Sequence, residues 1–152
     1  IYGYLVATHQ MLRQKIFDSD RLKICGCKVV RNQLRDIPKD EKIGTKKLRI
    51  LTLTDYDLFV GKRDIEASDL AAYLSSEYLK DYAGNIAKAK MQDDFLIVAI
   101  ATLKGIGNIC TEDFKTMASE SATKSYRKVN DRNGLKTPRF ISLEELDGLL
   151  RP

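Results

Sequence analysis

Apolar positions recur along the chain in short periodic blocks, and the periods predict alternating helices and strands. In residues 2–16, Leu5, Val6, His9, Leu12 and Ile16 follow one another at steps of one, three and four, the spacing of a single helix face. Lys23-Ile24-Cys25-Gly26 predicts a short strand. Val29, Val30 and Leu34 predict a short helix or turn that ends at Pro38, and the polar stretch 38–45 predicts a loop. Leu48, Leu51, Tyr56, Phe59 and Val60 predict a helix closed by Gly61. Leu70, Tyr73, Leu74, Glu77 and Tyr78 predict another within 66–83, capped by Ser68 or Asp64. After a link at 84–90 come an apolar helix from about Asp94, Gly105 as its stop, and a strand at 106–111. A longer helix over 113–129, a strand at 139–142 and a last helix at 143–150 complete the pattern.

Short strands returning between helices predict an α/β fold: a short parallel β-sheet flanked by helices, with 106–111 as a central strand. Helix 94–103 is apolar on most sides, so it is expected to be buried. The size, 152 residues, is that of one domain.

Composition narrows the function classes. The net charge is +5 with a pI near 9.1, which favours a polyanionic partner. No apolar run approaches the roughly 18 residues of a membrane span, so no membrane association is expected. Three cysteines, an odd number, fit a reducing, cytoplasmic setting. Cys25-Gly26-Cys27 has one intervening residue where zinc sites use two or more, and His9 is the single histidine, so zinc is not expected. A satisfied, partly buried His9 is the expectation.

The stretch "DDFLIVAIATLKGIGNICTEDF" raises the chemical question. Its apolar run begins on two aspartates and is soon followed by Thr-Glu-Asp. Asp94 would sit in the first turn of the buried helix, and Asp113 just past the carboxyl end of the strand, where open parallel sheets bind ligands. Two carboxylates brought together stay ionised only with a cation or strong donor between them. Hard oxygen ligands suit Mg²⁺ or Mn²⁺. The competing reading is capping, since Asp is a favoured N-cap and its charge suits a first turn. Spacing leaves both open. Thr111 is either a strand-end residue or a hydroxyl donor to a carboxylate or phosphate, and Glu112 is expected to be a solvated acid.

With "DDFLIVAIATLKGIGNICTEDFKTM" in view, the chain resembles the PIN domain family, the ribonuclease domain of VapC-type toxins and related archaeal proteins. Asp94-Phe95-Leu96-Ile97-Val98-Ala99 matches the family's Asp and following apolar helix, and Thr111-Glu112-Asp113 its Thr-x-Asp. "ICGCKVVRNQLRDIP" resembles the second strand and the helix carrying a Glu. "IYGYL" resembles the residues just after a first strand ending in Asp-Thr-Asn, and "TPRFISLEEL" the last strand and helix. The resemblance implies a three-layer fold and metal-dependent hydrolysis of RNA phosphodiester bonds, with Asp94 and Asp113 as catalytic and metal-holding residues and Mg²⁺ or Mn²⁺ as cofactor. The implied partners are RNA, an antitoxin protein and a second copy in a homodimer.

Two positions depart from the family pattern. Its first acid would fall before Ile1, with the first strand, and its Glu position falls on Gln33, or one residue off on Asn32. Gln33 would then line the site, with Asp36 one turn on as the alternative acid. Candidate RNA contacts are Arg31, Arg35, Lys124, Arg127 and Lys128, each otherwise a solvated helix residue, and Tyr126 is either a stacking surface or a core or capping residue. The rival readings are a non-catalytic PIN-like module that binds RNA or protein, and a receiver or flavodoxin-like switch domain.

Overall fold

A computed structural model describes residues 1–151 of the protein. It is a mixed α/β structure of eight α-helices and short strands that divides into two compact units. The first comprises Ile1–Glu66 and the chain from Glu144; the second is Ala67–Leu143. No helix among the described residues is long and apolar enough to cross a membrane.

The first unit opens with α1 (Tyr2–Ala7) and α2 (Gln10–Asp18) where periodicity predicts one helix. Helix α1 ends at Thr8, whose N–H makes a last helical bond to the Tyr4 carbonyl at 2.9 Å; the His9 N–H then turns back to the same carbonyl at 3.0 Å and the four-residue ladder breaks. His9 becomes the N-cap residue of α2 and is exposed, not packed on a buried face as its spacing suggests.

Strand β1 (Gly26–Cys27) leads directly into α3 (Lys28–Arg35), and β1 pairs in parallel with β4 (Asp64–Ile65). The predicted loop at 38–45 contains a strand of an antiparallel hairpin, β2 (Lys42–Ile43) with β3 (Lys46–Lys47), turned at Gly44 with φ +59°. Helix α4 (Leu48–Val60) ends on Gly61 as predicted, at a φ of +53° that favours glycine. The Tyr56 hydroxyl lies 3.0 Å from the Cys27 carbonyl and 2.5 Å from Asp64 Oδ1, tying α4 to both strands. A Cβ on Gly26 would sit 2.2 Å from that hydroxyl, so only glycine admits the ring. Asp55, 1% exposed, receives two bonds from Arg13 on α2 at 2.6 and 2.5 Å.

The second unit holds α5 (Asp69–Asp81), α6 (Lys88–Leu103) and α7 (Glu120–Arg132), with β5 (Asn108–Cys110) parallel to β6 (Arg139–Ile141). Helix α8 (Leu143–Leu149) follows β6. Ser68, one of the two caps expected for α5, accepts from the Ala71 N–H at 3.1 Å. Helix α6 starts six residues before Asp94 and buries Met91, Phe95, Val98 and Ala99–Thr102, the burial its composition predicts. Helix α7 starts at Glu120 and not at 113, because Ser119 is the side chain that caps it, on the Ala122 N–H. Strand β5 has one ladder partner among the described residues, β6, so it is not the central strand expected for 106–111.

A ring of aromatics joins α5, α6 and α7. Tyr78 meets Phe95 and Tyr126 edge-on, with centroids 6.2 and 5.0 Å away, and Phe95 meets Tyr126 at 5.1 Å. This core fixes the α6 turn that carries Asp94 beside the start of α7.

Candidate functional site

Asp94 stands in the second turn of α6, whose N-cap position is Ala87. It is therefore too far into the helix to cap it, and the capping explanation of this aspartate falls. Its neighbour Phe95 is fully buried, which places Asp94 at the edge of the aromatic core.

Asp113 is organised by the turn that follows β5. The Thr111 hydroxyl, buried, accepts from the Asp113 N–H at 3.0 Å. Asp113 Oδ1 in turn accepts from the N–H groups of Lys115 and Thr116, at 3.2 and 2.9 Å. These are short-range side-chain to backbone bonds of the kind Ser, Thr and Asp make at turns. Thr111 thus acts as a turn-forming residue that sets the direction of Asp113. Glu112 is exposed, as expected of a solvated acid, and also accepts from the Leu143 N–H at the start of α8 at 2.7 Å.

Thr116 joins the two acids. Its hydroxyl lies 3.0 Å from Asp94 Oδ2 and also contacts Asp113 Oδ2. A threonine hydroxyl has one proton to donate. It goes to one carboxylate at a time; Asp113 keeps two backbone N–H donors in either case, while Asp94 has the hydroxyl, water, a proton of its own or a cation. The two acids differ in how they meet this demand. Burial raises the Asp94 carboxyl above the ordinary carboxylate range; the Thr116 bond opposes that and the charges of Asp113 and Asp93 add to it. Asp113 loses some solvation too, yet the Thr116 hydroxyl, the two backbone N–H groups and Lys115 together hold it below that range. Asp113 is thus the acid that ionises more readily, and Asp94 the one that more readily takes up a proton or turns to a cation.

Two carboxylates and a neutral hydroxyl form a set of hard oxygen donors, which fits Mg²⁺ or Mn²⁺ in kind. In number the set is small: no group of three or more His, Cys, Asp or Glu side chains placed to hold a metal occurs among the described residues. Gln33 and Asp36, the other candidate site-lining residues, belong to the first unit and are exposed on and just after α3. Asp94, Thr111 and Asp113 belong to the second.

The candidate RNA contacts separate by their partners. Arg31 is engaged by Asp57 through Nε and Nη2, both at 3.1 Å. Lys128 is paired with Asp81 at 2.9 Å. Arg35, Lys124 and Arg127 are exposed. Tyr126 cannot stack on a nucleobase, because it is fully buried and its hydroxyl donates to the Met117 carbonyl at 2.9 Å. Burial, then the charge of Asp94, pushes its phenol far above the usual range, so it is a neutral wall beside the acids.

Thr116 was not among the residues singled out by sequence. The local half of its role was visible, since Asp-x-x-Thr at 113–116 is a turn pattern. Its bond to Asp94, 22 residues away, has no counterpart in spacing. Comparison with protein-family models, curated proteins and solved structures yields no match for the chain.

Proposed function

We propose that the protein is a metal-dependent endoribonuclease with a PIN-like arrangement of short parallel strands between helices. The observation that carries this reading is the placing of Asp94 and Asp113 on one hydroxyl, Thr116, which brings two carboxylates 19 positions apart in the chain to one spot. The resemblance of 93–117 to the PIN family supplies the substrate class, and the net charge of +5 is compatible with RNA. Partnership with an antitoxin protein extends from the resemblance alone.

Asp94 and Asp113 would hold Mg²⁺ or Mn²⁺, which when bound polarises a phosphoryl oxygen and activates water for attack. The chain's own groups do the rest. The Lys115 and Thr116 N–H groups fix Asp113 in its ionised form and in one rotamer. The Thr116 hydroxyl sets the distance between the two acids. Phe95 and Tyr126, both fully buried, close the core side of Asp94 to water. The rival is a non-catalytic PIN-like module, favoured by the neutral Gln33 at the family's Glu position.

Cleavage of a labelled single-stranded RNA by the full polypeptide in Mn²⁺ separates the two. The nuclease reading expects cleavage that EDTA abolishes and that Asp94→Asn and Asp113→Asn each lower by orders of magnitude with the fold intact by circular dichroism. Binding without cleavage selects the rival, and cleavage unaffected by both changes moves the chemistry away from Thr116.

A further inference from the structure

The second unit carries a groove of about 290 Å³ lined by Asp81, Ala83, Ser121, Lys124, Ser125 and Lys128. Four of these are a single stripe of α7, at steps of three, four and seven from Ser121, and the other two come from the end of α5 and just beyond. The Ser125 hydroxyl gives its proton to the Tyr78 carbonyl at 2.6 Å, so it forms the floor and has nothing to donate outward. Ser121 and Lys124 are exposed, and among the described residues neither side chain makes a hydrogen bond or ion pair.

The charge balance of the groove is positive. Asp81 is shared by Lys128 at 2.9 Å and Arg132 at 2.7 Å, so one carboxylate faces two cations. Lys124 adds a third. The surplus attracts an anion, and the acid in the wall makes a singly charged anion a better fit than a doubly charged one. The donors also select the anion's shape. Carboxylates are best matched by the planar fork of an arginine; no arginine lines the groove, and Arg132, which shares Asp81, is taken by it. A lysine point charge beside a serine hydroxyl suits the two non-bridging oxygens of a phosphodiester. No aromatic side chain lines the groove, so it reads backbone and not base.

We infer that this groove binds a phosphodiester of a polynucleotide strand, with Lys124 Nζ and the Ser121 hydroxyl as donors and Lys128, held by Asp81, as the second cation. Ser121 follows Thr116 by five residues, which bounds the distance between them at about 18 Å. That the strand is RNA rests on the ribonuclease reading; that the groove takes a phosphodiester does not.

The test is fluorescence anisotropy of a labelled single-stranded RNA in EDTA, over a series of salt concentrations, so that binding is read without cleavage. Lys124→Gln should weaken binding about tenfold, the loss expected for one hydrogen bond to a charged group. It should also lower the slope of log affinity against log salt by about 0.7, the value for one phosphate contact on a single strand. Ser121→Ala should weaken binding and leave the slope unchanged. Lys104→Gln, which removes an exposed lysine outside the groove, should bind like the wild type. Lys124→Gln with wild-type affinity and slope, or an equal loss in Lys104→Gln, overturns the site. Inorganic phosphate bound by the wild type, with no binding of the strand, assigns the groove to free phosphate and overturns the strand assignment. Strand binding lost in Lys124→Gln, together with a wild type that does not cleave in Mn²⁺, keeps the groove and removes the nuclease.

Discussion

Replacing Asp94 with asparagine should stabilise the fold at neutral pH. In the folded protein its carboxylate faces that of Asp113 across the Thr116 hydroxyl, whose single proton serves only one of them. Two unit charges about 4 Å apart repel by about 1 kcal/mol in water and about 4 kcal/mol at an effective dielectric of 20. Asp94 is half-buried and Asp113 is exposed, which keeps the value near the lower figure. An asparagine amide would donate to the Thr116 oxygen while Thr116 donates to Asp113, so the substitution removes the repulsion and retains the bond. About 1 kcal/mol corresponds to a rise in Tm of about 2–4 °C for a chain of this size.

The pH dependence carries the sign. The folded pKa of Asp94 is raised, so the folded state holds this proton more tightly than the unfolded state does. The wild type therefore loses stability as pH rises through the folded pKa, and Asp94→Asn does not. The gain in Tm should be full at pH 7, shrink as pH falls through the folded pKa, and vanish below the unfolded value. Asp113 has the opposite shift, so its ionised form adds stability that is lost as pH falls through its lowered folded pKa, and Asp113→Asn should bring no such gain. Mn²⁺ at 100 times its dissociation constant would add about 2.7 kcal/mol to the wild type, and much less to Asp94→Asn. Differential scanning calorimetry from acid to neutral pH, with and without Mn²⁺, reads all three. A lower Tm for Asp94→Asn at pH 7, or a difference that does not change with pH, would refute the opposed-carboxylate account.

Three further substitutions test the packing around the two parallel ladders. Arg13→Ala should cost about 3–5 kcal/mol in chemical denaturation, because it leaves Asp55 charged, unpaired and 1% exposed; a cost below about 1 kcal/mol would mean that Asp55 is solvated. Gly26→Ala should cost about 1–3 kcal/mol, since its Cβ would meet the Tyr56 hydroxyl at 2.2 Å; an unchanged denaturation midpoint would remove the close approach. Tyr78→Phe should cost about 1–3 kcal/mol by orphaning Asn130 Oδ1, which the hydroxyl now reaches at 2.7 Å in a buried site. Stability equal to the wild type would show that another donor takes its place.

Most of the helices and their local punctuation follow from signals a few residues long. The apolar spacing of α4, α5 and α6 follows from the need to bury one stripe or more of a helix. Gly61, Gly105 and Ser68 mark ends because their backbone freedom or side-chain oxygen acts within a few residues. The Asp and Thr types of the candidate site were also legible, as was their order along the chain. Local signals failed where two of them competed. Asp113 has the look of a helix cap, yet it spends its oxygen on a turn and leaves the cap of α7 to Ser119. Thr8 and His9 sit in a helical pattern, yet the His9 N–H turns back to the Tyr4 carbonyl and the helical ladder breaks there. That β5 pairs with β6 alone among the described strands, that His9 is exposed and that Tyr126 is buried depends on contacts between elements distant in the chain. So does the approach of Asp94 to Thr116. A helix pattern specifies which residues turn inward, but their neighbours come from other elements. The meeting of Asp94 and Asp113 on the Thr116 hydroxyl is a property of that packing and not of either segment.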